Sequence, residues 1–427
     1  MRALIELVER HWRDGGGVAS VCSAHPLAIA AAIRVALGSG TRALVEATCN
    51  QVNQYGGYTG QTPADFVAFV RRIAESVGCE PSAVLLGGDH LGPNPWRRLP
   101  SADALGRAEA MVDAYVAAGF RKIHLDCSMA CAGDPPALAD AVVAARAARL
   151  AEVAERSWQR AGGEPPVYVV GTEVPAPGGS AADEGLAVTR PEAVETTLEA
   201  HREAFAAAGL ADAWKRVLAL VVQPGVEFGN DAVHDYDRAR ARALSAGLRP
   251  GQGIVYEAHS TDYQRPAALR ELVADHFAIL KVGPAATFAL REAWWALDAI
   301  AADLDGGPRA LRAAVLRAMH DDPVHWRDYY SADERLDFEM QYSLSDRVRY
   351  YWTTPAVSAA CEALLARFGR EPLPLAALSQ YRPCQYDAIR AGVLPNSARE
   401  VLVDSVADVL RDYARAVAPG ARAGVAP

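Results

Sequence analysis

The sequence predicts an α/β protein: a (β/α)8 (TIM) barrel followed by a helical C-terminal extension. Three observations carry that prediction. Short β-rich runs recur eight times along the 427 residues. Each is followed by a polar or Gly/Pro-rich loop and then an Ala/Leu-rich helical pattern, the alternation that builds a parallel sheet with helices outside it. Almost every run also ends on an ionisable or amide side chain, and the C-terminal strand ends are where barrels carry their reactive groups.

In order, the runs are VASVCSAH (18–25), RALVEATCN (42–50), AVLLGGDH (83–90) and KIHLDCSM (122–129), then VYVVGTEVP (167–175), VLALVVQPG (217–225), GIVYEAHSTD (253–262) and FAILKVGPA (277–285). A doubly wound open sheet would need a Gly-rich phosphate turn after its first strand, and VCSAHPLA offers none. Thr62-Pro63-Ala64-Asp65 reads as an N-cap, a first-turn proline and a first-turn acid ahead of FVAFVRRIAESVG. Ser101 is expected to cap ADALGRAEAMVDAYVAAG, which stops at Gly119. TFALREAWWALDAIAADL reads as the last barrel helix, so the barrel is assigned to residues 1–305. Residues 306–427 carry no strand pattern and form the extension, with PAVSAACEALLARFG and SAREVLVDSVADVLRDYARAV as helices and GARAGVAP as a frayed tail.

Composition narrows the function classes. Half the residues are apolar, 51%, and 22% are charged, an ordinary globular balance. A formal net charge of −9 gives no electrostatic footprint for nucleic acid. Glu6, Glu9 and Asp14 break the N-terminal segment, which lacks the apolar core of a signal peptide, and no stretch approaches the ~18 uncharged apolar residues of a membrane span. Seven scattered cysteines without a CxxC pair read as free thiols in a reducing compartment, so a cytoplasmic protein is expected.

The polar strand ends carry the chemistry. They hold Ser23 and His25; Glu46, Thr48 and Asn50; Asp89 and His90; His124 and Asp126; Glu173; Gln223 and Glu227; Glu257 and His259; and Lys281. Period-two alternation puts His124 and Asp126 on one face and Ile123 and Leu125 on the other, so the polar pair points into the barrel mouth. Taken singly, a strand-end histidine is an ordinary hydrogen-bonded residue and an adjacent aspartate a loop cap. Taken together, imidazoles and carboxylates on separate strands suit a divalent metal of the zinc type, with His90, Glu227 and His259 as ligands. Ser23, His25, Asn50 and Gln223 are candidate substrate contacts.

Three further stretches have two readings each. Lys281 ends an apolar strand and is placed either to form a Schiff base with a carbonyl substrate or to pair with a phosphate or carboxylate. Ser260, Thr261 and the backbone amides near Gly283 follow the last two strands, where barrels often bind phosphate; Ser260 or Thr261 can equally cap the next helix. YSLSDRVRYYW (342–352) is a lid or subunit contact bringing Arg347 or Arg349 to an anionic substrate, or an amphipathic helix packed on the barrel.

The motifs SVCSAHPL, EATCNQVNQYGGYTGQTPADF, LGGDHLGPNPW, IHLDCSMACAGDP, GTEVPAPGG, VVQPGVEF, YEAHSTDYQ and HFAILKVGPAATFALREA, with YSLSDRVRYYW, resemble the non-catalytic (Z) subunit family of class II D-tagatose-bisphosphate aldolase over nearly the whole chain. That resemblance implies kinship with zinc-dependent class II aldolases, a barrel, and retro-aldol chemistry on ketose phosphates. By it, Asp89 and His90 match the aldolase pair of proton-transfer acid and metal ligand, His259 matches a second ligand, and Glu227 stands in the QPGVEF loop where aldolases carry a third histidine. The implied cofactor is a divalent ion, Zn2+ first, with Mn2+, Co2+ or Ni2+ as alternatives. The implied substrate is a tagatose or fructose 6-phosphate, the bisphosphate or the free ketose. C4 epimerisation fits these residues, with Asp89, Asp126 and Glu173 moving protons. An accessory role beside a separate catalytic (Y) chain is the alternative, and a homo-oligomer is expected. Some family members carry a tagatose-6-phosphate kinase label, but the chain has no GxxxxGK[ST] loop.

Overall fold

The eight runs become the eight strands of one closed parallel barrel. A computed structural model describes residues 2–172, 186–331, 334–369 and 371–420. The strands are β1 (Val18–Cys22), β2 (Ala43–Thr48), β3 (Val84–Leu91), β4 (Lys122–Leu125), β5 (Val167–Val170) and β6 (Val217–Val222), then β9 (Val255–Ala258) and β10 (Phe277–Val282). Between β6 and β9 lies an antiparallel hairpin, β7 (Glu227–Phe228) with β8 (Val233–His234), which the sequence reading did not anticipate. Gln223 sets it up: its side-chain carbonyl accepts the N–H groups of Gly225 (2.8 Å) and Val226 (3.0 Å), closing the turn after β6. Around the barrel the strands run β1-β2-β3-β4-β5-β6-β9-β10 and back to β1.

Strand periodicity divides the barrel interior into layers. At the base, Val18, Leu44, Val167, Leu218, Val255 and Ile279 form an apolar cluster with Leu4 and Val8 of the helix Arg2–Asp14, which covers that end. Two residues further along the same strands, the inward positions become Ser20, Glu46, Lys281 and Glu257, and β4 contributes Lys122. Two further again come Cys22, Thr48 and His259, with His124 from β4. The larger apolar cluster lies outside, between the sheet and the helices.

The helix Pro63–Ser76 begins with the expected capping box: Thr62 accepts the Asp65 N–H, and Asp65 accepts the Thr62 N–H at 3.0 Å. The helix Ser101–Ala118 ends as expected at Gly119, whose φ is 107°. Its cap position is Pro100, however, and Ser101 is the first helical residue with no capping hydrogen bond. The helix Pro266–Ala274 likewise starts at Arg265 without a side-chain cap, so neither Ser260 nor Thr261 serves there.

Among the described residues, those beyond 306 form helices and no strand. The last helix, Ala398–Ala416, returns to the barrel wall and packs on β1 and on the helices Pro26–Gly38, Pro266–Ala274 and Pro284–Asp305. Arg34 grips Glu400 with both guanidinium nitrogens, at 2.6 and 3.1 Å, and Gly17 donates its N–H to the Val417 carbonyl at 2.9 Å. The extension is separate in sequence but continuous with the barrel in space.

Candidate active site

The middle layer of the barrel is a closed ion network. Lys122 Nζ lies 2.7 Å from Glu46 Oε1 and 2.7 Å from Glu257 Oε2, all three side chains fully buried. Lys281 pairs with Glu46 and lies 2.9 Å from Asp89 Oδ1 and 4.0 Å from Glu257 Oε1. Burial works against the charge on both lysines, and the surrounding carboxylates overcome it, so both pKa values are raised. Lys281 is therefore an ammonium held between carboxylates, whereas a Schiff-base nucleophile needs a free amine.

Above this network three imidazoles converge. The ring centroids of His90, His124 and His259 are 5.1, 4.8 and 5.2 Å apart. Each ring has a carboxylate on one nitrogen. His90 Nδ1 is 2.8 Å from Asp126 Oδ2, His124 Nδ1 is 2.9 Å from Asp89 Oδ1, and His259 Nε2 is 3.0 Å from Glu257 Oε1. A carboxylate on one ring nitrogen orients the ring and, where that nitrogen carries the proton, turns the other lone pair outward, as metal-binding histidines require; His124 Nδ1 also lies 3.2 Å from the His90 backbone N–H. His124 Nε2 is buried with no hydrogen-bond partner among the described residues. Burial lowers the His259 pKa to about 4, keeping that ring neutral. Burial also opposes charge on His90, but Asp89 and Asp126 prevail and raise its pKa: they attract positive charge to that position.

The charge count sharpens the picture. Four buried carboxylates, Glu46, Asp89, Asp126 and Glu257, face two ammonium groups, Lys122 and Lys281. Carboxylates thus outnumber ammonium groups in this buried cluster, an imbalance that favours a further positive charge at the site. Ligand atoms of Asp89, His124, Glu257 and His259 all lie within 4.8 Å of one another, a buried cluster that could hold a metal ion. The donors fit a divalent ion of the zinc type.

Backbone geometry builds this mouth. His90 and Ser260 both adopt left-handed φ, 51° and 53°, conformations that cost energy in non-glycine residues and gather at functional sites. Gly92 follows because nothing larger fits: a Cβ there would lie 1.6 Å from the Asp126 carbonyl oxygen.

The expected site residues divide into groups. Asp89, His90, His259, Lys281 and Asn50 line the small space over the imidazoles. Asp126 lies behind His90, held by its ring and by the Ser128 hydroxyl at 2.6 Å, and these contacts keep it ionised despite burial. Of the expected ligands His90, Glu227 and His259, only His259 belongs to the described groups of converging ligand atoms; Glu227 accepts the Phe228 N–H at 2.9 Å, and burial raises its pKa to about 7. His124, from β4, supplies the third imidazole instead. Glu173 lies outside the described residues. Ser23 accepts the His25 N–H at 3.2 Å, and His25 Nδ1 accepts the Leu27 N–H at 3.2 Å, starting the helix Pro26–Gly38.

The expected phosphate cradle is filled from within. Asp262 accepts the N–H groups of Gly283 (2.9 Å) and Ala285 (2.8 Å), so an internal carboxylate holds the amides assigned to an anion. Thr261 donates its hydroxyl to the Lys281 carbonyl at 2.6 Å, and Ser260 stays on the rim of the mouth. Arg347 is buried against Tyr329, with 3.3 Å from its guanidinium carbon to the ring centroid; Arg349, two residues on, is the arginine that lines the mouth. Sequence reasoning named Glu46, His124 and Glu257 without giving them roles and passed over Lys122. The available signal was Lys122 two positions before His124, on the same inward face.

The family model of the D-tagatose-1,6-bisphosphate aldolase subunit GatZ/KbaZ-like matches residues 4–418. The chain belongs to the GatZ/KbaZ-like family. A relative described as a probable tagatose 6 phosphate kinase, from Sinorhizobium meliloti 1021, is 50% identical; the match covers 94% of this chain and 100% of that one, with a TM-score of 0.86. A fructuronate-tagaturonate epimerase from Cohnella laeviribosi is 13% identical over 96% of this chain and 85% of its own, with a TM-score of 0.49. A fructose-bisphosphate aldolase from Campylobacter jejuni is 12% identical over 86% and 91%, with a TM-score of 0.41. These last two likenesses are too loose to bear on what this GatZ/KbaZ-like chain does. No helix among its described residues is long and apolar enough to cross a membrane.

Proposed function

We propose that this chain is a metal-dependent enzyme of ketose phosphates, making and breaking the C3–C4 bond by retro-aldol and aldol steps, with C4 epimerisation as the net reaction. One observation carries the reading: three imidazoles, each backed by a carboxylate, converge above a buried cluster in which four carboxylates face two ammonium groups. His90, His124 and His259 would hold the ion, with Zn2+ the first choice. When bound, a divalent ion there polarises the ketose carbonyl and stabilises negative charge on its oxygen.

The chain's own groups do the rest. Asp89 stays ionised despite burial because His90, Lys281 and His124 outweigh the desolvation. Its Oδ1 is taken by Lys281 and His124, while Oδ2, 3.7 Å from His90 Nε2, belongs to a side chain that lines the mouth. Asp89 accepts the proton of the C4 hydroxyl as the C3–C4 bond breaks, and the electron pair left at C3 delocalises onto the C2 oxygen. The aldehyde fragment turns, C3 attacks its other face, and the same proton returns to the C4 oxygen. Lys281 remains an ammonium throughout and holds Asp89 in place. Asp126 and Glu257 orient His90 and His259 rather than carrying protons.

A second reading is favoured by the family's description as an aldolase subunit: the chain supports a separate catalytic chain. Metal analysis of the isolated protein, with assays on D-tagatose 6-phosphate, D-tagatose 1,6-bisphosphate, D-fructose 6-phosphate and the free ketoses, separates the two. About one divalent ion per chain and epimerised product without a partner are expected. A metal-free chain, inert until a catalytic partner is added, would establish the accessory role instead.

A further inference from the structure

Beside the space over the imidazoles, about 80 Å³, lies a larger cavity of about 310 Å³. Cys22, Gln51, Tyr58 and Arg349 line both, so the two adjoin at these side chains. The larger cavity is closed by the helix Pro284–Asp305, which supplies Trp294, and by the extension, which supplies Trp352 and Arg399. We propose that it receives the phosphoryl end of the substrate, with Arg349 and Arg399 as counter-charges beside the Trp294 and Trp352 rings. This rests on the ketose-phosphate reading above and adds to it where the charged end goes.

Lining and charge point to a ligand. Trp294 and Trp352, 2% and 7% exposed, give the cavity an aromatic wall. The charge is more specific. Arg349 donates to the Asp346 carbonyl and to the Tyr350 hydroxyl, at 3.2 Å for the latter, and no described carboxylate forms an ion pair with it. Arg399 is exposed and has no ion-pair partner among the described residues. Against these two guanidiniums the cavity lining contains one carboxylate, the exposed Glu362, which leaves a positive balance. Guanidinium groups bind phosphate through charge-assisted hydrogen bonds. The alternative anion site at the start of the last barrel helix is already held by Asp262.

Tryptophan emission tests this without requiring turnover. Wild-type protein is titrated with D-tagatose 6-phosphate, D-tagatose and inorganic phosphate. The ester should shift the emission and bind about ten-fold more tightly than the free sugar, with inorganic phosphate competing. Arg399→Gln alters an exposed residue and should weaken the ester about ten-fold while leaving D-tagatose unchanged; Arg399→Lys should recover part of the loss. Equal affinities for ester and sugar in the wild type, or equal losses for both in Arg399→Gln, would overturn the inference. Epimerisation of free D-tagatose persisting beside such a result would leave the catalytic reading intact. Ester binding that depends on Arg399 in a chain with no metal and no turnover would sink the catalytic reading alone.

Discussion

Two layers of the same barrel, a single strand repeat apart, are finished to different degrees. In the lower one, Lys122 sits between Glu46 and Glu257 and Lys281 between Glu46 and Asp89, so each charge has an opposite charge within hydrogen-bond distance. Two residues further along β4 and β9, Lys122 gives way to His124 and Glu257 to His259. There the two rings pair with a carboxylate through one nitrogen each, and His124 Nε2 has no hydrogen-bond partner among the described residues. The difference separates structural from chemical polarity. A buried polar layer that completes itself holds the barrel together, whereas one left incomplete is shaped for something that arrives later.

The largest effect should come from breaking the finished layer. Lys122→Met leaves Glu46 and Glu257 buried with a single shared ammonium, Lys281, and should cost about 3–5 kcal/mol of stability, read from urea unfolding. Adding Glu257→Gln should return part of that loss. A Lys122→Met protein as stable as wild type would mean the network is ornamental to folding and erase the distinction between layers.

The incomplete layer should respond in the opposite sense. His124→Gln should lower turnover at least 100-fold and abolish stoichiometric divalent ion, while unfolding of the metal-stripped protein moves by only about 1 kcal/mol. Glu227→Gln should keep its metal. If instead the Glu227 variant loses the ion and the His124 variant keeps it, the ligand set reverts to the one expected from the QPGVEF loop.

The barrel itself was legible because its signal is local. β-rich runs with period-two polarity need only neighbouring residues to be recognised, and all eight fall where the pattern puts them. His90 and His259 were legible as strand-end imidazoles for the same reason. Glu227 was the expected third ligand because resemblance to aldolases points to the loop after β6, whereas His124, on an inward face of β4, is the residue that lies with His90 and His259. The Gly283 cradle failed for a different reason. In HSTD the hydroxyls of Ser260 and Thr261 suggest an anion cradle, but the adjoining carboxylate, Asp262, takes the same amides with no translational entropy to lose. The return of the helix Ala398–Ala416 to β1 depends on contacts between residues hundreds of positions apart, and nothing in local periodicity reports those.

Glu227 gives an effect whose sign can be worked out. Burial raises its pKa from 4.5 to about 7, with the Phe228 N–H and Ser260 only partly offsetting the desolvation. Between about pH 4.5 and 7 the folded protein therefore holds a proton that the unfolded chain has released. Stability from this group is fully present below the unfolded pKa and declines as pH rises through 7, by at most about 3 kcal/mol. Glu227→Gln keeps an acceptor for the Phe228 N–H and removes the titration. The variant should match wild type near pH 5, exceed it in stability at pH 8, and show a flatter pH profile in between. Were Glu227 a metal ligand, the order would invert in the loaded protein: the variant would be the less stable of the two at pH 8, because it would have lost a bond to the ion rather than a buried charge.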